Sequence, residues 1–561
     1  MATSSARPAF KAWVNSGSPW VWLAAGSVSL SLVMVFGLLL LIAARGLGQF
    51  WPGEIRLFEM KPTAQGASVA PLLGEIVEEE TVSATRARAA GEPIPEDATT
   101  VRRLLIKAGN RDLTGFDFKW IAEPLIAATT TPADALVVER EEWGNLYGFL
   151  VDVRENGKSV AASDKRWPEL MARLARKHAL RAQIKHIEKD VIGGINYGIE
   201  HLRLKQRKLE LKGRADAAAI ADLHARKAVL EREYAEANTK LAKLNQAIAR
   251  DSILFRTAAG EEKEIPIAKL VRVAQPNAMS MFRKIGHYAS RLREFLCDEP
   301  REANTEGGVF PAIFGTVLMV IIMSFFATPF GVIAAVYMRE YATQGALTGA
   351  IRIAVNNLAG VPSVVYGVFG LGFFVYFVGG SIDALFFPER LPAPTFGTPG
   401  LLWSSLTLSI LTVPVVIVAT EEGLARIPRA IREGSLALGA TKAETLWRIV
   451  LPMATPAMMT GLILAVARAA GEVAPLMMVG VVKLAPSLPL DGNFPYVHLD
   501  RKFMHLGFHI YDVGFQSPNV EAARPLVYAT ALLLVVIIVA LNLAAISIRN
   551  RLREKYNAAD H

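Results

Sequence analysis

Two charged residues lie four positions apart within an otherwise apolar run in the last quarter of the chain. Arg468 and Glu472 interrupt the run 453–482, and on a single helix their side chains would share a face. A charge at mid-bilayer costs roughly 2.5–3.5 kcal/mol on insertion scales, so it usually faces a cavity or a partner. The guanidinium fork fits the oxygens of an oxyanion in bidentate fashion. We therefore expect Arg468 to contact an anion, with Glu472 holding the arginine or repelling anions when the path is closed.

The same two residues also allow a purely structural interpretation. Arg468 and Glu472 would then form an ion pair that fixes the packing of helices, nearer to one membrane face. The sequence leaves this alternative open, because both interpretations need the same residue types at the same spacing.

A charged loop between two apolar runs carries a second group of informative residues. Within 421–452, Pro428 suits the first turn of a helix, where its missing N–H is no loss. Gly439 suits the end of that helix, where a left-handed backbone is common. These features predict a helix–turn–helix outside the bilayer, whose small side chains let another protein approach closely. This face offers the small residues Gly434 and Ser435 and a carboxylate, Glu433.

No group of residues in the sequence predicts catalysis. The nucleotide-binding pattern G-x-x-x-x-G-K-[ST] is absent, and so is any nucleophile–base arrangement. We therefore predict that the chain is not an enzyme, has no catalytic residues and needs no cofactor, so that any ATP is bound by another chain. The single cysteine, Cys297, excludes an intrachain disulfide.

Several metal-ligand residue types lie close together near the end of the chain. His505 and His509 are four residues apart, with His498 and Asp500 shortly before them. This spacing is compatible with a metal site. Loops outside the membrane also carry solvated histidines, which is the interpretation we adopt, so no metal site is predicted.

The distribution of apolar residues predicts a membrane protein that is mainly α-helical. Hydrophobic residues make up 52% of the chain, and its mean hydropathy is +0.30. A transmembrane helix needs about 20 apolar residues. Six runs meet this length, at 20–44, 309–337, 353–378, 401–420, 453–482 and 526–548. The first run is too long for the apolar part of a cleaved signal peptide, so we expect a retained span over 20–45.

Lysine and arginine residues indicate which ends of the spans face the cytoplasm. They gather before the first span, after the last span and in the loop that follows the fourth, whereas the loop 379–400 has only Arg390. This asymmetry predicts that the N-terminus (1–19), the loop 421–452 and the C-terminus (549–561) are cytoplasmic. Much of the net charge of +9 lies in these short segments beside the apolar runs. Because membrane orientation accounts for it, we do not expect the chain to bind nucleic acid.

A charged segment, 46–308, separates the first two spans and is predicted to face outward. Parts of it alternate apolar and polar residues as strands do, and parts repeat apolar residues at helical spacing. We predict an α+β domain with a helical hairpin of the coiled-coil kind at about 168–250. At 1.5 Å per residue, arms of about 35 residues extend roughly 50 Å. An amphipathic helix at 279–296 is expected on the membrane surface or in the core of the domain.

The spacing in the charged loop resembles that of a known family. Bacterial ABC-importer permeases carry an EAA loop with the pattern E-A-A, three residues, G, nine residues, I-x-L-P. The residues that match this pattern are Glu433, Gly439, Ile449, Leu451 and Pro452. The two alanines are replaced by Gly434 and Ser435, which are also small.

Further segments are similar to the phosphate-specific permeases of the PstA type. These segments are DEPREANTEGGVFPAIFGT (298–316), NLAGVPSVVYGVFGL (357–371), ATEEGL (419–424) and ARAAGEVAPLMMVG (467–480). The similarity covers the chain from about residue 307 onward. The segment 46–308 makes the chain resemble an extended form of these permeases.

The resemblance implies the six-helix architecture of type I ABC-importer permeases, with a five-helix core at 309–548. It implies a subunit of an inorganic phosphate importer in the bacterial inner membrane, which forms half of the path and places an Arg–Glu pair at 468 and 472. It also implies that the loop 421–452 docks on an ATPase, with coupling residues Glu433, Gly434, Ser435, Gly439, Ile449, Leu451 and Pro452. The implied partners are a PstC-like second permease, a dimer of PstB-like ATP-binding subunits, a PstS-like periplasmic phosphate-binding protein, phosphate and membrane lipid. Two alternatives remain: a permease for another oxyanion or solute, and a membrane protein for sensing or signalling.

Overall fold

The computed structural model describes residues 13–62, 69–89, 98–517 and 520–557. Within these ranges six helices are long and apolar enough to cross a membrane, as the sequence predicted. We call them the first to sixth spans: Ser18–Gly48, Phe310–Tyr341, Ser363–Phe386, Leu401–Ala425, Lys442–Gly471 and Ala523–Leu552. Residues 1–12 and 558–561 of the predicted terminal tails lie outside the described residues.

The third span is interrupted where the sequence predicted one helix at 353–378. A helix Ala346–Leu358 ends first, and another restarts at Ser363 after a short turn. Pro362 precedes the restart (φ −54°, ψ 134°), and its missing N–H prevents the first helix from continuing. The hydroxyl of Tyr366 donates to the last carbonyl of the first helix at 2.6 Å. This bond satisfies one of the carbonyl groups that the break leaves without a helical partner.

The fifth span also differs from the prediction 453–482. It begins at Lys442, because the second helix of the charged loop continues into it, and it ends at Gly471. Glu472 follows with an extended backbone (φ −79°, ψ 132°). A glycine is a weak helix former, which explains why the helix stops there. The prediction that Arg468 and Glu472 share a face of one helix is therefore wrong.

The fourth span forms the centre of the membrane core. In its most apolar stretch 67% of the residues are buried, against 0% in the first and sixth spans. Its hydroxyl groups bind the second span, since Ser409 donates to the Met323 carbonyl at 3.0 Å. The first span packs against the sixth, where a Cβ at Gly46 would lie 2.9 Å from the backbone of Ala529.

The segment between the first two spans folds into an α+β domain, as predicted, which we call the insertion domain (49–308). A five-stranded sheet has the order β4-β3-β2-β1-β5, and a six-stranded sheet has the order β10-β9-β7-β6-β11 with β8 paired to β7. All of these pairings are antiparallel. The strands are β1 (Ile55–Met60), β2 (Leu72–Ser83), β3 (Thr100–Lys107), β4 (Phe118–Ala122), β5 (Ile126–Thr130), β6 (Leu136–Arg140), β7 (Asn145–Glu155), β8 (Lys158–Ser159), β9 (Asp251–Arg256), β10 (Glu262–Pro266) and β11 (Leu270–Ala274), followed by the small pair β12 (Pro300–Arg301) and β13 (Glu306–Gly307).

Several helices lie outside the spans. The predicted amphipathic helix is present as Met281–Cys297, with Phe282 exposed and Phe295 buried. The other α-helices outside the spans and the hairpin are Ala84–Ala89, Arg111–Thr114, Ala346–Leu358, Arg429–Ala437, Leu476–Val479 and Leu506–Phe515.

Two helical arms occupy the region of the predicted hairpin. The first arm consists of Arg166–His186, the wider π turn Ile187–Ile192 and Gly193–Leu211, and the second arm is Ala217–Ile248. Gly213 supplies the turn with φ +63°. Asp216 caps the second arm by accepting a bond from the Ala219 N–H at 2.7 Å. Few side chains are buried along the arms, so coiled-coil packing stays a prediction.

The first arm lies against loops of the membrane core instead of extending freely from the insertion domain. Lys208 pairs with Glu389, between the third and fourth spans, at 3.1 Å. The Tyr197 hydroxyl donates to the carbonyl of Phe494, between the fifth and sixth spans. The base of the arm packs on the six-stranded sheet through Leu170. We call this side of the core the insertion side, and the opposite side, which carries the loop 426–450, the coupling side.

Buried charges connect the insertion domain with the segment that leads into the second span. Arg301 donates to Glu139 at 2.6 Å and to Glu294 at 2.7 Å. Glu294 also accepts a bond from Arg272 at 2.6 Å. Burial, followed by the nearby charge of Glu139, raises the pKa of Glu306 to about 7. The Glu306 carboxyl therefore changes its charge near neutral pH.

Replacing Glu306 with glutamine should make the protein more stable above neutral pH. Because the folded-state pKa of Glu306 is raised, its contribution to stability is fully present below the ordinary carboxyl pKa and is lost as the pH rises through 7. Glutamine stays neutral, so we expect a gain of about 1–3 kcal/mol at pH 8 and little change at pH 4. Thermal unfolding in detergent at both pH values measures this difference.

Replacing the exposed Glu236 with glutamine provides the control, because it removes a carboxylate that is in contact with solvent. A Glu306→Gln protein whose stability follows that of the wild type at both pH values would contradict the assignment of this titration to Glu306.

Candidate anion path and coupling surface

Arg468 and Glu472 remain close together although the helix ends between them. Arg468 Nε lies 3.6 Å from Glu472 Oε1, and the two side chains are 32% and 21% exposed. Within the described part of the chain, the guanidinium makes this ion pair and no hydrogen bond. Since a guanidinium has five N–H donors, most of its hydrogen-bonding capacity is available to an anion.

The break in the third span lies beside this arginine. Arg468 is close enough to act electrostatically on the hydroxyl of Tyr366, which is in the first turn of the helix that restarts at Ser363. In the same turn region, a Cβ at Gly367 would lie 2.8 Å from Cα of Pro475. The start of a helix carries partial positive charge on its unbonded N–H groups. The guanidinium and the helix start are two groups in this part of the core that attract an anion, and Glu472 is the opposing charge.

The charged loop has the predicted helix–turn–helix form. Its first helix is Arg429–Ala437, and Gly439 follows with φ +90°. Thr441 then begins the next helix with a capping box, since its side chain accepts a bond from the Glu444 N–H while the Glu444 carboxylate accepts one from the Thr441 N–H at 2.9 Å. The π turn Leu446–Val450 joins this helix to the rest of the fifth span, Leu451–Gly471. The loop is thus a continuous extension of a transmembrane helix.

Two basic side chains hold the loop against the end of the second span. Arg432 donates to the Glu340 carboxylate at 2.9 Å and to the carbonyls of Leu424 and Ile427, each at 2.8 Å. Lys442 donates to the Glu340 carbonyl. These contacts connect the loop to the second span as well as to the fourth and fifth. A displacement of the loop by a partner would therefore act on three spans at once.

Burial divides the predicted coupling residues into two groups. The residues that are exposed are Glu433, Gly434 and Gly439. Ser435 is only 8% exposed, with its hydroxyl 2.8 Å from that of Thr445. The residues that are partly buried are Ile449, Leu451 and Pro452. The first group is accessible from solvent, whereas Ser435 packs against the next helix of the loop.

Two large apolar residues of the loop were not predicted as contact residues. Leu438 is 91% exposed and Trp447 is 74% exposed, which suits burial against a partner. The sequence contained a signal for the exposure of Trp447. Leu446 and Val450 are four residues apart and lie on the buried face of their helix, and Trp447 does not share that face.

The histidines of the predicted solvated loop are buried instead. His505 is 0% exposed and His509 is 2% exposed, and burial lowers their pKa values to about 3 and about 4. His498 pairs with Asp491 at 2.8 Å. The expectation of solvated side chains was therefore wrong for these three residues. Within the described ranges, no group of three or more His, Cys, Asp or Glu side chains is arranged to hold a metal ion.

Residues 327–556 match the family described as the inner membrane component of binding-protein-dependent transport systems. The phosphate transport system permease protein PstA 1 of Mycobacterium tuberculosis (strain CDC 1551 / Oshkosh) is 32% identical over 289 residues, which are 51% of this chain and 83% of that relative. The chain belongs to this family of transport permeases. The permease is thus a multi-pass membrane subunit of an ABC transporter. The insertion domain lies outside the matched residues.

Other known proteins are similar over parts of the permease. YqgH of Bacillus subtilis (strain 168), a probable ABC transporter permease protein, is 34% identical over 203 residues, which are 35% of the permease and 62% of the relative. An inward-facing structure of the MetNI methionine ABC transporter is 19% identical with a TM-score of 0.32, covering 43% of the permease and 94% of that chain. A bacterial alginate importer is 14% identical with a TM-score of 0.34, covering 48% and 90%.

Proposed function

We propose that this permease imports inorganic phosphate and forms half of the path across the membrane. The observation that carries the proposal is the guanidinium of Arg468 in the membrane core, which has one ion pair at 3.6 Å and no hydrogen bond within the described residues. An oxyanion can occupy the remaining donors in bidentate fashion. Glu472 competes with the anion for the arginine, so it acts as the internal counterion when no anion is bound.

The relatives support phosphate as the anion. Besides the mycobacterial protein, the probable phosphate transport system permease protein PstA of Methanocaldococcus jannaschii is 27% identical over 241 residues, which are 42% of this chain and 74% of that relative. An arginine alone selects for negative charge and paired oxygens, and it does not distinguish phosphate from other tetrahedral oxyanions. The choice of phosphate therefore rests on these relatives.

The proposed assembly contains a PstC-like second permease, two PstB-like ATP-binding subunits and a PstS-like binding protein. The exposed face of the charged loop, with Leu438, Trp447 and Glu433, docks on an ATP-binding subunit. Both apolar side chains would leave water on docking, which favours the contact. The ion pair between Arg432 and Glu340 transmits movements of the ATPase to the second span.

Uptake of radiolabelled phosphate by cells that lack this chain tests the proposed function. High-affinity uptake at low external phosphate should be lost and should return when the wild-type chain is expressed. Sulfate uptake, measured in the same cells, serves as the control. Unchanged phosphate uptake together with lost uptake of another solute would show that the permease serves that solute instead.

The helical hairpin is predicted to contribute to binding-protein docking. Its tip is strongly basic, with six lysine or arginine residues and one glutamate at 203–214, and it lies on the insertion side near Glu389. Deleting 181–247 and joining the ends with a short Gly/Ser linker should leave the six spans folded, because none of the described residues in the hydrophobic cores of the spans comes from this segment. The affinity of the purified binding protein for the complex should fall.

Neutralising Lys240 and Lys243 on the second arm is the control for the hairpin deletion, because it removes charge while leaving the basic tip intact. Equal binding-protein affinities for the wild type and the deletion would show that the hairpin has no docking role.

A further inference from the structure

A cavity of about 820 Å³ lies where the insertion domain meets the membrane core. It is lined by the end of the first span (44–53), by β2 (75–79), by the amphipathic helix (287–295), by the segment before the second span (302–307) and by the start of the sixth span (524–528). The first span ends beside the cavity, the sixth span begins there, and 302–307 leads into the second span. The cavity is therefore at the level of the membrane surface on the insertion side.

The side chains at the membrane end of the cavity are those of an interfacial region. Trp51 is 42% exposed, and the guanidinium of Arg45 lies 5.8 Å from the centre of the Tyr528 ring. Phe50 packs edge-on against Tyr288 of the amphipathic helix, with ring centroids 6.3 Å apart. Aromatic rings combined with arginine at the ends of spans are typical of the headgroup level of a bilayer.

Cations and carboxylates both line the cavity. Arg45 comes from the first span and Arg524 from the start of the sixth. Within the described residues Arg45 has no ion pair, whereas Arg524 makes one with Glu78 of β2, at 3.1 Å and with both side chains more than a third exposed. The Glu75 carboxylate, also on β2, accepts a bond from Tyr147 at 3.2 Å and has no ion pair within the described residues. A ligand in the cavity therefore meets an unpaired cation from the first span and an unpaired carboxylate from β2.

The charge balance of the lining argues against a simple anion. The lining contains eight carboxylates and five arginine or lysine side chains. Some of these carboxylates are already paired, since Arg301 donates to Glu139 and to Glu294. A free phosphate ion would leave the Glu75 carboxylate without a cation and would fill a small part of the volume. A ligand that carries a phosphate and a hydrogen-bonding ammonium group satisfies both Arg45 and Glu75.

We propose that this cavity binds the headgroup of a zwitterionic aminophospholipid of the phosphatidylethanolamine type. The phosphate is held by Arg45 and Arg524, and the ammonium is held by Glu75 and Glu78. The acyl chains pass into the bilayer along the lipid-facing surface of the first span, whose most apolar stretch has no buried residue. The lipid links the first and sixth spans to β2 of the insertion domain.

Lipid retention by the purified full-length chain tests this site without depending on transport. The chain is incubated in detergent with equal amounts of dioleoyl phosphatidylethanolamine, phosphatidylcholine and phosphatidylglycerol, and native mass spectrometry counts the bound lipids. Phosphatidylethanolamine should be retained about fivefold or more over phosphatidylcholine, because methylation removes the N–H donors that reach the carboxylates. Inorganic phosphate at millimolar concentration should not displace it. Equal retention of all three lipids, or displacement by phosphate alone, would overturn the proposal.

Two sets of variants keep the test decisive. Arg45→Gln combined with Arg524→Gln should lower retention of phosphatidylethanolamine about fivefold or more, whereas Arg283→Gln on the exposed face of the amphipathic helix should not change it. Glu75→Gln combined with Glu78→Gln should shift the preference toward phosphatidylglycerol, because the anionic lipid no longer meets the carboxylates. The lipid preference of the glutamate variant can be interpreted even if the arginine variant misfolds. An unchanged lipid preference in the glutamate variant would contradict the proposed ammonium site.

Discussion

Replacing Arg468 with glutamine is expected to abolish phosphate uptake while the transporter complex still assembles. Glutamine keeps part of the length and some hydrogen bonding, but it removes the fixed positive charge. A hydrogen bond to a charged group contributes about 1.5–3 kcal/mol, so losing a bidentate contact should lower uptake by about 100-fold or more. Assembly should survive because the arginine's one ion pair is long, at 3.6 Å, and partly exposed. Uptake assays together with pull-down of the partner subunits and ATP binding measure both properties.

Two further variants separate charge, geometry and packing at this position. Arg468→Lys keeps the charge without the planar fork, so it should transport at an intermediate rate. Arg283→Gln removes one exposed charge from the amphipathic helix and should transport normally. If Arg468→Gln prevents assembly, the arginine is a packing residue and its role in the anion path is wrong.

Replacing Gly439 with valine should abolish uptake and substrate-stimulated ATP hydrolysis together. Gly439 has φ +90°, and a Cβ built on it meets nothing within 4 Å. The substitution therefore causes no clash within the chain, and its cost comes from a β-branched residue in a left-handed conformation, about 1–2 kcal/mol. That cost distorts the turn beside Leu438 and places a side chain on the face that would dock on the ATPase. Membrane insertion and expression should be normal, which immunoblotting of membranes would verify.

A turn in the insertion domain offers a matched control for Gly439→Val. Gly260 has φ +88°, and a Cβ there also meets nothing within 4 Å. Gly260→Val thus imposes the same backbone strain far from the coupling side and should leave uptake and ATP hydrolysis close to normal. Normal uptake by Gly439→Val at wild-type expression would contradict the docking role of the loop.

The sequence predicted well those features that depend on nearby residues. The six apolar runs correspond to six long helices in the structure. The small residues and the glycine of the charged loop correctly predicted a helix–turn–helix in which Gly439 has a left-handed backbone. Asp216 and Gly213 marked the turn of the hairpin for the same reason, since caps and positive-φ glycines act within a few residues. The two errors in span boundaries also have local causes, at Pro362 and Gly471.

Features that depend on distant residues were not predictable in this way. Lys208 and Glu389 are 181 residues apart in sequence, and Arg301 and Glu139 are 162 apart. Hydrophobic periodicity carries no information about such pairs, because it reports only which face of one element is buried. The same limit explains why Ser435 was expected on the surface, whereas its hydroxyl meets Thr445 of the next helix.

Reconstitution of the permease with its partner subunits in proteoliposomes tests the central claim most directly. The measurement is ATP-dependent accumulation of radiolabelled phosphate, with the binding protein present and sulfate as the competitor. The proposed function predicts accumulation that requires this chain, is lost with Arg468→Gln and is unaffected by excess sulfate. Assembled proteoliposomes that hydrolyse ATP but accumulate no phosphate, or that accumulate sulfate in its place, would contradict it.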